Sequence, residues 1–213
     1  MRNVKVLEMI VEGRIEELEA LLREEIYQEA LKKKTGAKPR YSAMKKYFGY
    51  VKSSRAICQK PSMVEYEGEM VYSFCNSYSL ALTKESCGFI ELFSEEDGTY
   101  PNVSRLLRRD GVPVKFNLTR VFAEAKSKGY KLIKSEVNGG RFMLRYEGTY
   151  YRLGLVDATY SIIDDGEEVS VYHSGDKFSS ITIENQVGVC MILPVKCDEE
   201  TIENDDITVI DLI

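Results

Sequence analysis

The chain has 213 residues, 44% hydrophobic and 30% charged, which fits a globular protein and excludes a disordered one. No apolar run approaches the roughly 18 residues that a membrane span needs, so no membrane partner is expected. The formal charge of −5 conceals a segregation: Ala30 to Val64 holds ten basic residues and no acid, against 19 basic and 34 acidic side chains elsewhere. Charge divided this way points to a polyanion partner.

The start, Met1-Arg2-Asn3-Val4-Lys5, leads into a charged helix and not an apolar signal core, which predicts a cytoplasmic location. Val4, Leu7, Val11, Ile15, Leu18, Leu22 and Ile26 recur at helical steps and predict one long amphipathic helix over residues 4–31, with Gly13 as a weak spot inside it. Its stripe either packs on the body or pairs with a second copy, so a homo-oligomer is expected. Lys32, Lys33 and Lys34 suit the negative end of the helix dipole, and Thr35-Gly36-Ala37-Lys38-Pro39 reads as a break. Residues 1–36 are thus set apart from a body over 37–197, with an acidic and apolar tail over 198–213.

Ser42 is a good N-cap for a second helix to about Cys58, with Met44, Tyr47, Phe48, Val51 and Ile57 on its buried face. Strand texture follows: a hairpin through the turn Glu67-Gly68, then Ser79 to Leu82 and Phe89 to Phe93. Tyr100-Pro101-Asn102 opens a loop to Arg105, Arg108 and Arg109. Asn117 caps a third helix that Gly129 ends. Val103 to Lys134 carries nine basic residues against Asp110 and Glu124, a second cationic block. A hairpin through Glu147-Gly148 comes next. Strands are then expected at Tyr160 to Ile163, Val169 to Tyr172, Ser180 to Ile183 and Val189 to Leu193, with a last strand-like piece over Ile207 to Ile213. That piece either joins its own sheet, the default, or docks on a partner.

The five cysteines (Cys58, Cys75, Cys87, Cys190, Cys197) match no close-paired zinc pattern and read as reduced, mostly buried thiols. His173 has no second ligand nearby in sequence and reads as structural. Asp164-Asp165-Gly166-Glu167-Glu168 lacks the alternating spacing of a calcium loop and reads as a hairpin turn. There is no nucleophile elbow and no phosphate-cradling Gly loop, so neither an enzyme site nor a cofactor is expected.

The body echoes itself about 80 residues apart: a basic helix, a hairpin through Tyr-Glu-Gly (Tyr66 to Gly68, Tyr146 to Gly148), then Tyr-Ser-aliphatic (Tyr78 to Leu80, Tyr160 to Ile162). This order predicts an α+β fold of two similar halves, about 41–112 and 113–197. Val71 to Thr83, Tyr100-Pro101-Asn102-Val103, Phe116-Asn117-Leu118, and Ser179 to Glu184 with Met191 to Val195 together resemble the DNA sliding clamp, the ring that tethers a polymerase. The resemblance covers roughly residues 41–196. It implies a duplicated helix-plus-antiparallel-strands domain and a non-enzymatic processivity factor of phage or mobile-element type. A bacterial clamp subunit has three such domains and this chain has room for one, so a ring would need several copies. The resemblance further implies that Lys45, Lys46, Lys52, Arg55, Arg120, Lys126 and Lys128, with Lys38 and Arg40 of the same block, face DNA and contact phosphates independently of sequence. Tyr41, Tyr47 and Tyr50 lie between these cations and either stack on bases or fill the core. A different class is also open: a protein-binding module or inhibitor that oligomerises through the first helix and engages a host protein such as a nuclease. An RNA-binding accessory protein is a third.

Overall fold

A computed structural model describes residues 9–15, 17–18, 21–22, 37–50, 61–84, 101–131 and 142–212, the side chains of 37–41 aside. Within them run α1 (Ala37–Tyr50), β1 (Ser62–Tyr66), β2 (Glu69–Cys75), β3 (Ser79–Thr83), α2 (Val103–Leu106), β4 (Val114–Phe116) and α3 (Leu118–Ser127). They are followed by β5 (Phe142–Tyr146), β6 (Thr149–Arg152), α4 (Leu153–Tyr160), β7 (Val169–Tyr172), β8 (Ile181–Glu184), β9 (Gly188–Ile192), α5 (Glu199–Asn204) and β10 (Thr208–Asp211). The fold is mixed α+β.

Seven strands form one antiparallel sheet in the order β1-β2-β3-β9-β8-β7-β4. Its middle strands are apolar at successive positions because both faces are covered. Ala81, Cys190 and Ile192 point into the main core, whereas Leu80, Leu82, Val189 and Met191 join a second cluster with Val103 and Leu107 of the α2 segment. The period-2 geometry of a strand sends neighbours to opposite faces, so a two-sided burial needs no polar face. A smaller sheet, β10-β5-β6, has β10 parallel to β5, with Ile210 opposite Leu144.

Helix α4 lies between the sheets, against β3 and β9 on one side and β5 and β6 on the other, with α1 packed along it. Seven of its eight residues are buried, so its sequence has no polar face to betray a helical period. Tyr160 to Ile163 therefore reads as a strand in the sequence, whereas the chain ends a helix there and turns.

The remaining expectations fare unevenly. The Glu67-Gly68 and Glu147-Gly148 hairpins form at the same tight turn, both residues having positive φ (52° and 81°, 47° and 72°), as a type I′ turn requires. The elements after them differ: Ser79 begins a strand, Ser161 caps a helix, and the two hairpins lie in different sheets. The described residues therefore do not repeat as two equivalent halves. The first helix is interrupted at residues 12–14, where Gly13 takes φ 69° and Arg14 bonds Glu12 and Glu17; the rest of 4–31 lies outside the described residues, apart from 9–11, 15, 17–18 and 21–22. Helix α1 begins at Ala37, not Ser42, because Pro39 in a first turn lacks only an amide hydrogen that has no helical partner there. The strand expected at Phe89 to Phe93 falls outside the described residues. Asp198, expected in a plain acidic tail, caps α5 by accepting from Thr201 N, and Ile210 and Leu212 enter the main core.

Candidate nucleic-acid interface

Helix α1 buries Ala43, Met44, Tyr47 and Tyr50 at three- and four-residue steps. The Tyr47 hydroxyl lies 2.9 Å from Ser79 O and 3.0 Å from Phe74 O, which pins the helix to the β2–β3 turn. Tyr47 and Tyr50 are thus core residues and not stacking platforms. Lys45 is exposed on the opposite face, and Lys46 lies at the border, half-buried.

Helix α3 is capped by Asn117, whose side chain accepts from Arg120 N at 3.1 Å. Leu118, Phe122 and Ala125 face the core, leaving Arg120, Lys126 and Lys128 exposed. Gly129, at φ 96°, ends the helix in a Schellman arrangement: its N–H donates to Lys126 O and the Tyr130 N–H donates to Ala125 O. That turn directs Tyr130 inward.

The two cationic stretches then meet on one residue. Lys46 Nζ donates to Asp157 Oδ1 at 2.5 Å, and the Tyr130 hydroxyl donates to Asp157 Oδ2 at 3.0 Å. Asp157 is the single charged side chain of α4 and is 15% exposed, against 28% for Lys46. Burial first, then the Asp157 charge, pushes the Tyr130 phenol far above its ordinary range, so it stays a neutral donor. Close helix approach makes this possible. A Cβ on Gly154 would stand 2.6 Å from the Tyr50 ring, so Gly154 lets α1 rest on α4. Tyr50 and Lys46, four apart on α1, thereby meet Gly154 and Asp157, three apart on α4.

The other expected site residues divide. Lys38 and Arg40 are in α1, but their side chains, and all of Lys52 and Arg55, lie outside the described residues. Lys45, Arg120 and Lys126 are exposed. Lys128 pairs with Glu124 one turn earlier at 2.9 Å, a surface pair of small energy. Arg109 of the second block points elsewhere: it bridges Glu67 at 2.5 Å and Glu184 at 2.7 Å at the far margin of the large sheet. Lys115 donates to Ser170 on the strand beside it at 2.8 Å.

Asp157, Tyr130 and Gly154 were not singled out from the sequence. One signal was available: a lone acid in the apolar run Leu153 to Tyr160, since a charge seldom enters such a run without a partner. Elsewhere, the His173 ring is buried beside Tyr146, with Nδ1 2.9 Å from Glu147 Oε2. Cys75 and Cys190 face opposite sides of the large sheet, and burial pushes the Cys190 thiol up. Among the described residues no three His, Cys, Asp or Glu side chains are grouped to hold a metal, and no helix is long and apolar enough to cross a membrane. No protein-family model, curated protein or solved structure matches this chain.

Proposed function

We propose that this protein binds the phosphate backbone of DNA, independently of sequence, through the side of the molecule formed by α1 and α3. The observation that carries the reading is the convergence on Asp157: it brings Lys46 of the first cationic block and Tyr130 of the second within one carboxylate's reach, 84 residues apart in the chain. Helix α1 and Tyr130, just beyond the end of α3, are neighbours in space at that point. Lys45, Arg120 and Lys126 are exposed and would supply phosphate contacts. The acidic remainder opposes approach of a phosphate backbone from other directions. Each phosphate contact releases condensed counterions, so affinity would fall steeply with salt.

Binding of a fluorescent duplex, followed by anisotropy from 50 to 250 mM salt, tests the reading. The wild-type chain is expected to bind with a log–log slope of several, and Lys45→Glu, Arg120→Glu and Lys126→Glu each to lower that slope by about one or more. Absence of duplex binding at low salt, with a stoichiometric protein partner instead, would replace the DNA reading with that of a protein-binding module. A clamp would in addition need several copies in a ring. A single-chain mass in solution would remove the ring and leave the phosphate contact.

A further inference from the structure

We propose that Asp157 is an internal counter-anion of the cationic side, holding Lys46 away from the partner's phosphates and setting how tightly the protein grips them. The inference rests on the DNA reading above and names the residue that tunes the same surface.

Three features single out Asp157. It comes from neither cationic block but from the buried helix between the sheets, the one charge among eight otherwise uncharged residues. Both its oxygens are engaged, Oδ1 by Lys46 and Oδ2 by the Tyr130 hydroxyl, so its orientation is fixed from two elements at once. It is also more buried than Lys46, 15% against 28% exposed, so the lysine reaches inward to the acid. The flanks keep the arrangement in place: Tyr50 rests on Gly154 one turn before Asp157, and Gly129 turns Tyr130 toward it.

The consequence is electrostatic. Lys46, half-buried on α1, is matched by a carboxylate at 2.5 Å. A phosphate approaching α1 therefore meets one lysine charge fewer than the sequence advertises, because the Asp157 carboxylate cancels it. A half-buried pair exerts its Coulomb interaction more strongly than a fully exposed one, so a partner's phosphates do not simply displace it. Asparagine at this position would keep an acceptor for Tyr130 and drop the charge that holds Lys46, whose long stem could then extend to solvent. One further phosphate contact becomes available.

The test compares wild type, Asp157→Asn and Asp157→Asn/Lys46→Gln against one duplex across the same salt series. Asp157→Asn is expected to bind about three- to tenfold more tightly near 100 mM salt, with a slope steeper by about one. The added Lys46→Gln change is expected to cancel both gains. Unchanged or weaker binding by Asp157→Asn, with the wild type still binding, overturns this inference and leaves the DNA reading standing. A wild type without salt-dependent binding sinks the DNA reading itself. Should Asp157→Asn fail to fold, the wild-type chain decides by lysine side-chain NMR during titration with duplex. The Lys45 and Lys126 signals are expected to move and that of Lys46 to stay; an equal movement at Lys46 overturns the inference.

Discussion

Arg109 shows how one side chain's charge can be spent within the protein. Its guanidinium donates to Glu67 in the β1–β2 turn and to Glu184 on β8, and lies 5.9 Å from the Tyr66 ring centroid. The hydrogen bond from Arg109 holds the Glu67 carboxyl below its ordinary 4.5, burial opposing it. A carboxyl depressed in the folded state adds stability above its ordinary value, and that contribution is lost as pH falls through the folded one. Melting temperature should therefore drop faster in the wild type than in Glu67→Gln as pH falls below the ordinary 4.5, the two curves drawing together at the acid end. Parallel curves would mean that the bridge contributes nothing to acid stability.

At the scale of elements, the contact of α1 with α4 depends on Gly154. Alanine at Gly154 would gain about 1 kcal/mol of helix propensity. It would also place a Cβ within 2.8 Å of three Tyr50 ring-end atoms, an overpacking that costs about 1–3 kcal/mol in a filled core. Tyr50 is 5% exposed and has little room to swing away, so the steric term should win. Gly154→Ala is expected to lose about 1 kcal/mol by urea denaturation, and the same change beside Tyr50→Ala to become stabilising relative to Tyr50→Ala alone. Loss in both backgrounds would contradict the close approach. The buried polar chain behind this contact, Thr159 Oγ1 donating to Ser79 Oγ at 2.8 Å and Asn76 Oδ1 accepting from Ser79 N at 2.8 Å, ties α4 to the β2–β3 turn. The chain is partnered on its oxygen side alone, since the Asn76 Nδ2 is buried without a hydrogen-bond partner.

For the molecule as a whole, the distribution of charge matters more than its sum. Contacts to phosphates carry no base information, so two unrelated duplexes of equal length should bind within about threefold of each other at one salt concentration. A tenfold preference would call for side chains that reach base edges, and α1 turns Tyr47 and Tyr50 into the core instead. The large sheet is buried on both faces along β3 and β9.

Local chemistry was legible without the fold. The Glu67-Gly68 and Glu147-Gly148 hairpins, the Asn117 cap and the Gly129 stop each depend on a few neighbouring residues whose dihedral preferences act within one turn. The two cationic blocks were equally plain. Hidden from that reading were α4, because a helix buried all round shows no periodicity, and the interruption at Gly13, because an apolar stripe can continue across a break. What only the tertiary structure decided is which cations remain available. Lys46 and Asp157 are 111 residues apart and Arg109 and Glu184 are 75 apart, so their charges cancel only once the chain has folded. Coulomb pairing depends on distance through space, and the sequence carries distance only along the chain.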